Sequence, residues 1–148
     1  NWGFVPMSTR EFSRLANDLK KIVDKDFVLL AEVKGKTVGF IVALPDFNQV
    51  FHRIPSGRLF PTGIFKLLTG EKHINRLRAV FLGVRKEYEA KGLASLLYLE
   101  AQKKNAQTKR YKEAEQSWIL EDNKEMLKHL DLLQAVLYKR YRIFCQNL

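Results

Sequence analysis

The chain has 148 residues, 46% of them apolar, including ten phenylalanines, enough for one domain, residues 1–148, with a substantial core. Its formal net charge of +10, from 26 Lys and Arg against 16 Asp and Glu, attracts polyanions, either a nucleic acid or a cofactor carrying several phosphates. A single cysteine, Cys145, excludes an internal disulfide framework and fits a reducing, cytoplasmic setting; no apolar run reaches the roughly 18 residues of a membrane span. The basic residues are scattered rather than gathered into a tract, which argues against a dedicated nucleic-acid module. The chain begins at Asn1 rather than Met, as a fragment or processed form would.

In chain order, Ser8 with Glu11 has capping-box spacing, and Met7 with Phe12 that of a hydrophobic staple. Phe12, Leu15, Ala16 and Leu19 then form a helical stripe, predicting a helix that ends near Val23. Residues 27–33 and 37–44 read as two strands of a hairpin turning at Lys34 and Gly35, with Pro45 as the stop. Gly39 inside the second strand marks a bulge or a close backbone approach. Residues 46–75, rich in Pro, Gly and aromatic residues (Pro55, Gly57, Pro61, Gly63, Gly70), read as a long loop insertion with a short helix at 64–68. Such a connection usually carries function, and it is expected to wall a binding site.

A third strand follows at 76–84, then a helix from Gly92 to about Gln107, and a fourth strand at 113–120. A second capping-box spacing, from Asp122 to Glu125, opens a helix reaching Leu133, with Met126, Leu127, Leu130 and Leu133 on its inner face. Residues 135–144 read as a last strand or hairpin arm. The order is mixed, with a central strand-helix-strand-helix block, which predicts an α/β (α+β) sheet that is partly antiparallel.

The segment 78–106 is the most informative. The apolar strand ending Leu82-Gly83-Val84 meets a charged turn, Arg85 to Gly92, and a helix opens at once. A helix start leaves several N–H groups without internal partners, aligned with the positive end of the helix dipole. That is a cradle for phosphate.

Glu89-Ala90-Lys91-Gly92-Leu93-Ala94 resembles the acyl-CoA binding motif of the GCN5-related N-acetyltransferases, Arg or Gln, two residues, Gly, one residue, then Gly or Ala. Glu89 departs from it at the first position. Asn123 after the fourth strand matches a second block of that family. The stretches 118–123 and 138–144, and 57–61 in the loop, look like an uncharacterised branch of it. The resemblance spans nearly the whole chain, apart from a first strand and helix that would precede Asn1.

The resemblance implies the acyl-CoA N-acyltransferase fold, a mixed, mostly antiparallel sheet with helices on both faces. It also implies acetyl-CoA or another acyl-CoA as cofactor and transfer of the acyl group to a primary amine by direct attack. The third and fourth strands would be parallel neighbours that splay apart. The cofactor arm would pair with backbone near Leu82, Gly83 and Val84, and the diphosphate would lie on Glu89, Ala90, Lys91, Gly92, Leu93 and Ala94. Lys86 and Lys91 would add charge, and Asn123 would meet the cofactor arm or cap the next helix.

The family often uses a Glu on the strand before the phosphate turn and a Tyr in the helix after Asn123. Residues 79–84 hold no carboxylate, and the Tyr position is Leu130. Glu121 or Asp122 through water, and Tyr138 or Tyr141, are the substitutes as proton carriers. As alternatives, Asp122 caps the helix, Glu121 pairs with a nearby cation, and the tyrosines pack; Tyr88 reads as a stacking or packing residue. The missing carriers leave open a non-catalytic acyl-CoA-binding module, and the charge leaves open a nucleic-acid-linked function, either RNA binding or aminoacyl-tRNA-dependent transfer. His52, His73 and His129 are isolated and Cys145 has no partner spacing, so no metal site is expected. Ser95 and Ser117 lack the setting of a nucleophile.

Overall fold

The computed structural model describes residues 6–54, 57–58, 60–116, 118–142 and 144. Asn1, Pro55, Leu59, Ser117, Ile143 and Cys145, each used in reading the sequence, lie outside them. The chain divides into two compact units, Asn1–Ser117 and Trp118–Leu148.

The first unit opens with helix α1, Thr9–Leu19, capped as the sequence predicts: Ser8 N–H and Oγ donate to Glu11 Oε2 at 2.8 and 2.7 Å, and Glu11 N–H donates back to Ser8 Oγ at 3.3 Å. The helix stops at Leu19, four residues short of the predicted end at Val23, and passes into turns. Strands β1, Val28–Val33, and β2, Lys36–Pro45, form the predicted hairpin. Lys34 (φ 51°) and Gly35 (φ 74°) are both left-handed, the turn geometry that matches strand twist. The register jumps from Ala31 opposite Gly39 to Glu32 opposite Thr37, leaving Val38 as an extra residue. Beside it, a Cβ on Gly39 would lie 3.1 Å from Leu93 Cδ2 and 3.2 Å from the Gly83 carbonyl, so both readings of Gly39 hold.

The segment predicted as a long loop is largely helical, with α2 at Asn48–Phe51 and α3 at Gly63–Gly70. A Cβ on Gly70 would fall 2.5 Å from Val50 Cγ1; the glycine lets the two helices touch. Strand β3, Arg76–Val84, has the predicted bounds, and helix α4 runs Leu93–Thr108. Strand β4, Glu113–Gln116, stops short of the predicted Leu120. Trp118, at φ 64° and 87% exposed, has neither the backbone nor the burial of a strand residue.

The sheet order is β1-β2-β3-β4, antiparallel through β3 and parallel between β3 and β4. The core gathers Phe27, Ala43, Val50, Ile74, Leu77 and Tyr111, with Phe47 and Leu67 packed against it. Burying a side chain such as Phe27, 1% exposed, stabilises by about 1.5–3 kcal/mol. Its ring meets Tyr111 edge to face at 5.3 Å. Tyr111 Oη donates to Asp24 Oδ2 at 2.9 Å, and Arg110 reaches the same oxygen at 2.8 Å. Asn105 brackets the Tyr111 backbone, accepting its N–H at 3.0 Å and donating to its carbonyl at 2.7 Å. These bonds tie the far end of α4 to the segment before β1.

In the second unit, α5 spans Lys124–Leu132. Its cap is Asn123, one of the two roles expected for that residue, whose Oδ1 accepts the Met126 N–H at 3.2 Å; the cap expected at Asp122 is not formed. Met126, Leu130 and Leu133 are half-buried, while Leu127 is exposed. The predicted last strand is absent from the described residues 135–142 and 144. Val136, Leu137 and Tyr141 have strand-forming side chains but are 83%, 72% and 71% exposed. Propensity without a packed face or a partner does not make a strand.

Candidate active site

The site begins with an irregularity in β3. Pairing with β2 jumps from Val42 opposite Phe81 to Ala43 opposite Ala79, so Val80 is an extra, bulged residue. Pairing with β4 runs only from Arg76 opposite Glu113 to Ala79 opposite Gln116. Past the bulge, β3 continues to Val84, and among the described residues only β2 pairs with it there. Its alternation there is fixed by the next residue, since Arg85 N–H donates to the Val38 carbonyl at 2.8 Å. Residues two apart share a direction, so Gly83 turns its backbone groups toward β2, and Leu82 and Val84 turn theirs to the open side. Two of the three strand residues predicted for a cofactor arm thus turn their backbone to the side on which no described strand pairs, and the third, Gly83, faces its neighbour strand.

The strand leads into a 3₁₀ turn, Lys86–Lys91, that holds Glu89, Ala90 and Lys91. Gly92 follows at φ 72°, with open space where a Cβ would stand. It is the N-cap of α4 and no side chain caps that end. The helix closes its first bond from Leu96 N–H to the Gly92 carbonyl at 3.1 Å. The N–H groups of Leu93 and Ala94 precede that bond, so they have no acceptor within the helix. A glycine with empty space before it, beside an uncapped helix start, fits a diphosphate. Lys91 Nζ sits 4.5 Å from the centre of the Tyr88 ring, which makes Tyr88 the stacking residue predicted and holds Lys91 on the turn.

Two strands face each other with opposite charge just before they part. Arg76 Nε and Nη2 donate to Glu113 Oε2 at 2.8 and 2.5 Å. One step on, Arg78 Nη2 stands 3.6 Å from Glu115 Oε1, and the two side chains are 25% and 12% exposed. These carboxylates lie outside residues 79–84, on β4, although Arg76-Leu77-Arg78 and Glu113-Ala114-Glu115 both carry charge at strand period in the sequence. Helix α4 is tied to the same end of β4 by Tyr98, whose Oη donates to Gln116 Oε1 at 2.8 Å. Burial pushes that hydroxyl up to about 12, so it holds its proton at neutral pH.

The other predicted residues lie in the second unit. Glu121 is in an exposed turn, and Asn123 has its carbonyl oxygen committed to the cap of α5. Tyr138 is 55% exposed with Lys139 Nζ 5.0 Å from its ring centre, and Tyr141 is 71% exposed; neither is on a strand. Among the described residues, no group of three or more His, Cys, Asp or Glu could hold a metal, and no helix is long and apolar enough to cross a membrane.

The architecture is shared with solved enzymes. Over 97% of this chain and 85% of that one, it superposes on aminoglycoside 6'-N-acetyltransferase AAC(6')-IG from Acinetobacter haemolyticus with a TM-score of 0.59 at 15% identity. Against AAC(6')-Iy in complex with a CoA-linked bisubstrate analogue, the TM-score is 0.57 at 17% identity, over 99% and 84% of the two chains. The fold is that of the GCN5-related N-acetyltransferases. Two curated relatives match the chain in sequence: Protein YghO of Escherichia coli K12 at 36% identity, and the bacterial ceramide synthase of Caulobacter vibrioides at 32%, each over 97% of this chain. The chain spans 38% of the length of each. No protein-family model matches.

Proposed function

We propose that the chain is an acyl-CoA-dependent N-acyltransferase that passes an acetyl or longer acyl group to a primary amine by direct attack. The observation that carries this reading is the edge of β3 beyond Val80, which no described strand covers, leading through Gly92 into a start of α4 that has no side-chain cap. Acyl-CoA supplies the activated acyl group as a thioester. Backbone N–H at Leu82 or Val84 would hold the thioester oxygen and stabilise charge developing there. The amides of Leu93 and Ala94, with Lys91 and Lys86, would hold the diphosphate. The amine loses a proton, its nitrogen bonds to the acyl carbon, the carbon–sulfur bond breaks, and the thiolate takes a proton. Glu121 and Tyr138 are the residues proposed to carry those protons, and Asn123 is proposed to donate from its side-chain amide to the cofactor arm.

The bacterial ceramide synthase among the relatives supports a reading in which the acyl group is long and the amine is an amphipathic amino alcohol, since a ceramide is such an amine carrying a fatty acyl amide. A melting screen against coenzyme A and acetyl-, malonyl- and long-chain acyl-CoA tests the donor. Release of free thiol with an amine panel tests the transfer. A melting shift without thiol release would favour a non-catalytic acyl-CoA-binding module, a reading favoured by the absence of a carboxylate in residues 79–84 and by Leu130. No shift with any coenzyme A derivative would remove the acyltransferase reading. Salt-sensitive RNA binding would then stand in its place.

A further inference from the structure

We propose that Arg78 is the residue that selects the acceptor, by gripping an oxygen carried next to the reacting amine; this rests on the acyltransferase reading above. A cavity of about 190 Å³ opens beside the bulge, with Arg78 and Asp46 set among apolar walls that include Ile22, Leu44, Phe47 and Val80. Asp46 is already committed: its Oδ1 accepts from Asn48 N–H and Nδ2 at 3.2 and 2.9 Å, and its Oδ2 faces Arg76 at 3.7 Å. Arg78 is not. Its approach to Glu115 at 3.6 Å is too long for a hydrogen bond, and its buried Nε has no partner among the described residues. Arg76, two residues earlier, meets Glu113 through both Nε and Nη2, so the contrast lies within one strand.

A guanidinium with unspent donors against apolar walls is unfavourable until an oxygen reaches it. Its planar fork suits a carboxylate or a hydroxyl or carbonyl oxygen. The phosphate turn begins after Val84, six residues and about 20 Å along an extended strand from Arg78. A donor whose diphosphate lies on that turn and whose thioester lies at Leu82 to Val84 leaves Arg78 for the acceptor. Glu115 acts as a positioning residue, holding the guanidinium at the point where the strands part.

The test compares isoamylamine, leucinol and leucine, which share a branched alkyl amine and differ in bearing no oxygen, a hydroxyl or a carboxylate. Each is titrated calorimetrically into the coenzyme A-saturated protein and into the protein alone. In the wild type, one or both oxygen-bearing probes should bind at least about tenfold tighter than isoamylamine, the scale of one charge-assisted hydrogen bond. Arg78→Met should bring them down to the isoamylamine value with coenzyme A affinity unchanged, and Arg78→Lys should recover part of the difference. Preference for leucine over leucinol would identify a carboxylate, and the reverse a neutral oxygen. Equal affinity for all three probes in the wild type, or an equal loss for all three in a folded Arg78→Met or Arg78→Lys variant, would overturn the proposal. Failure of the acyltransferase reading shows separately, as no melting shift with coenzyme A, and the titration without coenzyme A still decides the role of Arg78.

Discussion

Gly92 combines a left-handed backbone with empty space where a side chain would go. Gly92→Val should therefore act twice, straining the backbone by about 1–2 kcal/mol and filling the space proposed for the diphosphate. The expected result is a folded protein with a lowered melting temperature and at least about tenfold weaker coenzyme A binding by calorimetry, the equivalent of one lost charge-assisted contact. Full affinity in a folded variant would put the diphosphate elsewhere. Tyr98 gives a second prediction at this scale. Its hydroxyl is raised from 10 to about 12 in the folded state, because burial disfavours the phenolate. The neutral form is the stabilised one, so this contribution is complete below pH 10 and disappears as pH rises toward 12. Tyr98→Phe should lose about 1 kcal/mol at neutral pH with the Gln116 bond, and should unfold less steeply between pH 10 and 12 than the wild type in a chemical denaturation series.

Single elements differ in how far the sequence exposes them. The box of Ser8 and Glu11 and the turn at Lys34 and Gly35 were legible because all the atoms involved lie within a few residues. Ser8→Ala should cost about 1 kcal/mol of local stability, read as faster amide exchange in α1 with the hairpin unchanged. The contact of α2 with α3 was illegible, since it depends on Gly70 meeting Val50 across the segment predicted as a loop. Gly70→Ala should destabilise by about 1–3 kcal/mol, as overpacking does, because Val50 is 1% exposed and its branched side chain cannot turn away. Gly83→Ala, facing the 39% exposed Phe40 ring, should cost less than Gly70→Ala in the same melting experiment. The strand expected at 135–144 fails for the opposite reason, since the side chains favour strands but, among the described residues, no neighbour pairs with them. In the candidate site, the turn that leads through Gly92 into α4 could be read from the local spacing. The Arg78 and Glu115 pair could not, because its members are 37 residues apart and meet only through the parallel register of β3 and β4.

For the whole molecule, a ligand that binds only the folded state raises stability by mass action, by about 2.7 kcal/mol at a hundred times its dissociation constant. The net charge of +10 should make that gain shrink as salt rises, since part of the attraction to a diphosphate is screened. A melting shift with coenzyme A that is unaltered between low and high salt would mean that the basic surface takes no part in holding it.

The open stretch of β3 has one more implication. Beyond Val80 it displays backbone donors and acceptors that no described strand pairs on that side, and such an edge is a template for another extended chain. A bound cofactor arm would then work as a chaperone as well as a substrate, masking one of the edges along which copies of the chain can stitch together. Light scattering of concentrated protein should rise with time in the empty state and rise more slowly once coenzyme A is added.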